Sequence, residues 1–168
     1  MADINQVKEL DTPNDLAEKG REKVVDALNK LVADAFALYI KTKNYHWHMS
    51  GRHFRDYHLL LDEQGDQIFA TIDPLAERAR KIGGNTIRSV AHIAQLQRVK
   101  DDDEDFVAPK DMLLDLLNEN RKMAKNMRDT HKIADDAEDV ATASLLENYI
   151  DETERRSWFL FETTRDIN

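Results

Sequence analysis

Cysteine is absent from the 168 residues. The chain therefore holds neither a disulfide nor a thiolate-bound metal, and any metal must rest on imidazole and carboxylate. Proline and glycine are scarce, at three and five residues. With so few breakers and 34% charged residues, the composition points to an all-α protein. No apolar run approaches the roughly 20 residues that cross a bilayer, so no membrane partner is expected. The opening MADINQVKEL lacks a basic n-region and an apolar h-region. No secretory signal is expected there, and the expected location is the cytoplasm. Signatures of nucleophilic hydrolysis and phosphate binding are missing too: there is no G-x-S-x-G elbow, no glycine-rich phosphate loop and no H-E-x-x-H. Positive charge is not in excess either. A net charge of −9 disfavours nucleic acid and anionic membranes and suits a protein that attracts cations.

Apolar residues recur at helical spacing in four long stretches. Residues 1–12 read as a flexible tail and 13–168 as one helical domain. Thr12-Pro13-Asn14-Asp15 resembles a helix start, and the helix runs to about Met49 with Val25, Leu28, Val32, Ala35, Phe36 and Tyr39 on its apolar stripe. The second runs from about His53 to Ile82, where Gly83-Gly84 stops it. Pro74 lies inside it and either kinks it or ends it at Asp73. A long connection follows, with a short helix expected between Ser89 and Gln97 and a solvated acidic run, Asp101 to Asp105. Pro109 opens the third long helix, whose Leu113, Leu116, Leu117, Met123, Ala124 and Met127 form a core face. The fourth, from about Val140 to Thr163, offers Leu146, Ile150, Trp158 and Phe161 for packing. Four long helices with a long crossover between the second and third make a four-helix bundle.

The chemistry concentrates between His46 and Glu77. On the second helix His58 and Asp62 are four apart, as are Asp73 and Glu77, so each pair shares a face. One imidazole and three carboxylates are a ligand set for a divalent first-row metal. The midpoints of the two pairs lie 15 residues apart, roughly 22 Å along a helix. Ligands sit about 2 Å from their metal, so one straight helix cannot bring both pairs to one ion. An antiparallel copy crossing near Gln67 and Ile68 would set His58 and Asp62 of one chain opposite Asp73 and Glu77 of the other. Two such sites per two-fold dimer result, with Gly65 near the crossing to permit close approach. Glu-x-x-His, which builds a di-iron centre inside a single bundle, does not occur.

Tyr45-His46-Trp47 at the end of the first helix, then His58, Asp62, Asp73 and Glu77, resemble the ferroxidase signature of the Dps family, the mini-ferritins. Separations from His46 of 12, 16, 27 and 31 positions match that pattern at every ligand. Ala76-Glu77-Arg78-Ala79 and Gly83-Gly84 are similar as well. The resemblance implies a ferritin-like four-helix bundle with a short extra helix in the crossover. It implies an intersubunit iron site of His46, His58 and Asp62 from one chain and Asp73 and Glu77 from its two-fold partner. Fe(II) is then oxidised there, preferably by hydrogen peroxide rather than O₂, and ferric iron is stored in a hollow homo-dodecamer that protects the cell and its DNA. Zn(II) is a substitute ion for the same donors, and a zinc-holding bundle is a further alternative. Trp47 resembles a tryptophan beside the iron, with interface packing as its alternative role.

Asp135, Asp136 and Asp139 resemble acidic residues of the family's three-fold iron pores, or else form a solvated turn. His48, His53, His92 and His131 match no ligand position; His48 and His53 stand near enough to be supporting groups or an accessory metal site, with ordinary surface histidine as the favoured alternative. Family members that compact DNA use a basic tail. Here Lys8 and Lys19 face Asp3, Glu9, Asp11, Asp15 and Glu18, so direct DNA binding is not expected. The alternative reading is a nucleoid-compacting stress protein whose metal site is secondary.

Overall fold

A computed structural model describes residues 8–165. After a 3₁₀ turn at Lys8–Leu10, five α-helices follow: α1 Glu18–His48, α2 Phe54–Lys81, α3 Val90–Leu96, α4 Pro109–Asp136 and α5 Val140–Thr164. No strand occurs among the described residues. The long helices form two hairpins, α1 with α2 and α4 with α5; α1 packs on α4, and α3 lies against α1. The apolar stripes explain this pairing. Val25, Leu28, Val32 and Ala35 of α1, Leu61, Ile68, Ile72 and Leu75 of α2, Leu113, Leu116, Met123 and Met127 of α4, and Leu146 and Leu160 of α5 share one buried core.

Several boundaries follow from local chemistry. α1 begins later than Asn14, because the Asn14 Oδ1 accepts the Leu16 N–H at 2.9 Å in a local turn that competes with helix. α2 continues through Pro74 to Lys81, with Leu75 and Ala79 fully buried beyond it. It ends at Gly83, whose φ of 85° is left-handed and favours glycine. Gly84 lies so close to Val25 that an added Cβ would overlap both valine methyl groups. Pro109 occupies the start of α4. Asp139 caps α5 by accepting the Thr142 N–H at 3.1 Å.

The crossover is strapped to α1. Arg98 donates its N–H and guanidinium to the buried Asp34, at 2.7 and 2.6 Å. Lys41 Nζ donates to the Lys100 carbonyl at 2.7 Å and Asn44 Nδ2 to the Asp102 carbonyl at 3.1 Å. The acidic run is therefore anchored at Asp102 rather than solvated throughout. A tail boundary at residue 12 falls partly on residues 1–7, outside the described residues; the Leu10 carbonyl accepts from Arg80 Nη2 at 2.7 Å.

Two sequence expectations need correction. Trp158 and Phe161 are 62% and 48% exposed, because the inward positions of α5 are taken by Thr153, Arg156 and Leu160. Gly65 faces α1 within the same chain: a Cβ there would meet Lys43 Cδ at 3.2 Å. Its close approach is thus between α1 and α2.

Candidate metal centre

The link between α1 and α2 is short, so the last turn of α1 and the first turns of α2 lie side by side. That places His46 and His58 in contact, with ring centroids 3.7 Å apart and planes within 20°. His46 Nδ1 lies 2.7 Å from the His58 carbonyl, and His58 Nδ1 lies 2.8 Å from the His46 carbonyl. A carbonyl oxygen only accepts, so each Nδ1 must carry a hydrogen, and in the neutral ring Nε2 then keeps its lone pair. Holding one ring nitrogen by a backbone acceptor fixes the other as a metal donor. Phe54 stacks on His58 with centroids 5.0 Å apart, so His58 is packed between two rings.

Asp62, one turn after His58, brings its Oδ1 to 3.7 Å from His46 Nε2. This is too long for a hydrogen bond. It is spanned by an ion about 2.1 Å from each donor, so the residues fit a first-row divalent metal. Lys43 Nζ donates to the same Oδ1 at 2.7 Å. That hydrogen bond holds the Asp62 carboxyl below the usual carboxylate range, and keeps it an anion ready for a metal.

Asp73 and Glu77 are exposed, and Glu77 pairs loosely with Lys81 at 3.4 Å. They lie three to four helical turns beyond Asp62 on α2. Among the described residues no group of three or more His, Asp and Glu side chains is assembled to hold a metal within the chain. Within the chain His46 stacks on His58 and reaches Asp62 at 3.7 Å, without the three being gathered into a metal-holding group, and Asp73 and Glu77 stand apart from them.

Lys43 and Phe54 were not singled out from the sequence. Phe54 lies four residues before His58, a spacing that signals contact on a helix. Lys43 touches Asp62 only because α1 and α2 pack together, so no local pattern announces it. Trp47 is 60% exposed, and His48 and His53 are exposed as well. His48 Nδ1 lies 2.8 Å from the Asn44 carbonyl, and the His53 ring lies against Tyr57. The His92 backbone N–H donates to the cap residue Ser89 at 3.1 Å. His131 Nε2 stands 3.2 Å from Glu147 Oε1 and its Nδ1 3.7 Å from Asp135 Oδ2. These carboxylates sit on opposite sides of the ring, so one ion cannot use both. Asp135 and Asp136 are exposed, whereas Asp139 is buried and receives Arg78 Nη2 at 2.6 Å. Asp139 is committed to that pair and to its cap.

One residue before His46, the Tyr45 hydroxyl lies 2.6 Å from Asp102 Oδ2 and 2.7 Å from Asp115 Oδ2. Burial first, and then these two carboxylates, push the phenol far above its usual range. Within the bundle, Arg156 is 1% exposed, and burial pushes its guanidinium down to about 10. It donates to Asn120 Oδ1 at 2.9 Å and Thr153 Oγ1 at 2.7 Å, and Nη1 has no partner. A cation in that position makes the interior hostile to a second one.

A ferritin-like domain model matches residues 25–168. DNA protection during starvation protein 1 of Deinococcus radiodurans is 33% identical over 145 residues, covering 86% of this chain and 70% of that protein. An uncharacterised low temperature-induced protein of a Nostoc strain is also 33% identical, over 86% of this chain and 82% of its own length. The structure of Dps from Thermosynechococcus elongatus superposes with a TM-score of 0.86 at 30% identity, covering 89% of this chain and 95% of that one. The chain belongs to the Dps family. DpsC from Streptomyces coelicolor matches with a TM-score of 0.89 at 28% identity, over 94% of this Dps chain and 92% of its own. The fold is accordingly the all-α ferritin-like four-helix bundle, with α3 as the short helix in its crossover. Among the described residues, no helix is long and apolar enough to cross a membrane.

Proposed function

We propose that this Dps chain is a mini-ferritin ferroxidase that oxidises Fe(II), preferably with hydrogen peroxide, at sites shared between two-fold-related subunits. His46, His58 and Asp62 of one subunit bind the ion together with Asp73 and Glu77 of the partner subunit. Ferric iron is then stored in a hollow homo-oligomeric shell, a dodecamer, and removing Fe(II) and peroxide together protects the cell and its DNA. Residues 13–168 form the bundle domain, residues 1–12 its tail, and the location is the cytoplasm.

The observation that carries this reading is the pair of locked imidazoles, each with Nε2 free, beside Asp62 at 3.7 Å. They amount to half of a coordination shell. Exposed Asp73 and Glu77, too far along α2 to reach the same ion, supply the other half to a neighbour. Imidazole and carboxylate accept Fe(II) and tolerate the higher charge of Fe(III). Iron is preferred to zinc because membership of a ferritin-like family supports it, whereas the donor types alone do not separate the two.

The relatives named for DNA protection favour a second reading, direct compaction of DNA. The net charge of −9 and the acidic opening segment weigh against it. Stopped-flow absorbance of Fe(II) oxidation by H₂O₂ and by O₂, run on the sized oligomer, tests the first reading. The expected result is fast, peroxide-dependent oxidation that His58→Ala and Asp62→Ala abolish while assembly persists. Equal rates in wild type and His58→Ala would remove it.

A further inference from the structure

We propose that the groove between α4 and α5 is an interface between copies of this chain, and that the acidic run 101–106 of a neighbouring subunit fills it with Phe106 as the anchor. This rests on the homo-oligomeric shell proposed above and names a contact that builds it. A two-fold contact pairs two subunits and stops there, so a closed shell needs a second kind of contact. On α4, Arg121, Lys125 and Arg128 follow one another at helical spacing, and all three are exposed. On α5, Trp158 and Phe161 stand three apart and are 62% and 48% exposed. Between these two stripes lies a groove of about 890 Å³, with aromatic rings along one side and cations along the other. The cations are loosely committed. Lys125 pairs with Asp129 at 2.6 Å and Arg128 with Glu154 at 2.8 Å, yet all four side chains are more than half exposed, and such pairs exchange partners at little cost.

The run has the complementary chemistry. Residues 101–105 are five carboxylates in succession, and Phe106 after them is 70% exposed. The run is also held in shape. Asn44 Nδ2 donates to the Asp102 carbonyl at 3.1 Å, and the Glu104 N–H donates to Asp102 Oδ1 at 3.0 Å, while Asp103, Asp105 and Phe106 stay exposed. A segment already ordered loses little freedom on binding. Tied to α1 through Asp102, the run cannot reach the groove of its own chain. Groove and run are different surfaces, so the contact is head-to-tail: each subunit gives its run to one neighbour and its groove to another, and the ring closes where the rotation allows. Aromatic and arginine side chains that lose water at such a contact carry most of its energy. Aromatic rings beside cations also suit single-stranded nucleic acid. The net charge of −9 and Glu154 within the groove oppose a continuous row of phosphates and leave the acidic run as the fitting occupant.

The test is size-exclusion chromatography with light scattering on the full chain, with peroxide-dependent Fe(II) oxidation measured on the same fractions. Arg121→Glu/Lys125→Glu, Asp103→Lys/Asp105→Lys and Phe106→Ser should each shift the mass from shell to two-fold dimer. Helical circular dichroism and the oxidation rate per subunit should persist in those dimers. Combining the four charge reversals in one chain should restore the shell, which general damage to the fold would not permit. If the groove variant does not fold, the two variants of the exposed run decide. A shell that persists in the run variants overturns the proposal, as does a folded four-fold reversal that stays dimeric. A fluorescent oligothymidylate that binds wild type and is lost in Arg121→Glu/Lys125→Glu, with the shell intact, assigns the groove to nucleic acid and also overturns it. Wild type no larger than a dimer removes the shell and this contact together. Oxidation by the intact wild-type shell no faster than in His58→Ala defeats the ferroxidase reading alone.

Discussion

Two defective variants should rescue one another. His58→Ala damages one half of the proposed site, and Asp73→Ala/Glu77→Ala damages the other. In a homodimer of either variant both sites are broken. In a mixed dimer, one site collects both lesions and the other collects none. Its His46, His58 and Asp62 come from the chain altered at 73 and 77, and its Asp73 and Glu77 from the chain altered at 58. Random pairing of equal amounts makes half of all dimers mixed, so about a quarter of all sites are intact. The peroxide-dependent rate per subunit should therefore rise from near background in each variant to roughly a quarter of wild type after reassembly from mixed subunits. The geometry behind the figure is the helical rise: the two pairs sit about 22 Å apart on α2, beyond the reach of one ion. Stopped-flow measurement on the co-assembled oligomer, with the subunit ratio checked by mass spectrometry, reads the outcome. A mixture no faster than its parents would refute the shared site, because ligands drawn from a single chain leave every site broken.

Lys43→Gln removes an ammonium from beside the proposed ion site at Asp62. A monocation about 5 Å from a dication in a near-aqueous dielectric weakens binding by a factor of roughly ten, so anaerobic Fe(II) titration should show tightening of that order; unchanged affinity counts against the lysine's role. Asp102 is held below the usual carboxylate range by the Tyr45 hydroxyl first and the Glu104 N–H second. Its stabilising contribution is therefore complete above about pH 4 and lost as pH falls through the lowered value. Asp102→Asn should flatten the acid limb of stability measured by urea unfolding. Gly84→Ala drives a methyl group into Val25 and should cost about 1–3 kcal/mol, seen as a lower Tm and partly restored by Val25→Ala. Gel shifts at low Mg²⁺ should show no retardation of DNA; retardation with a steep salt dependence would favour the compaction reading.

The helices were legible because their buried residues repeat at the right period. The positions marked on the α4 stripe, Leu113, Leu116, Leu117, Met123, Ala124 and Met127, are all buried. Trp158 and Phe161 misled because hydrophobicity alone does not tell which face of α5 turns inward. Arg156 and Thr153, polar and fully buried, take that face through bonds to Asn120 and to each other. The acidic run 101–105 read as solvent-exposed by composition, and its anchor at Asp102 depends on Tyr45 and Asn44 from a distant helix.

Separations along a helix are fixed by a constant rise per residue, so a sequence states them with the accuracy of a ruler. Contacts between helices have no such constant. This is why the distance between the two carboxylate-bearing pairs of α2 could be argued from numbering alone, while the ammonium of Lys43 on Asp62 could not. The same asymmetry explains the imidazoles. His46 and His58 are twelve positions apart, and nothing in that interval says that each ring will rest on the other's backbone carbonyl. Only the tight turn between α1 and α2 makes the exchange of hydrogen bonds feasible, and that exchange fixes which nitrogen is left for the proposed metal. A lengthened turn should therefore separate the two rings and free each Nδ1, weakening metal capture even with all five proposed ligands retained.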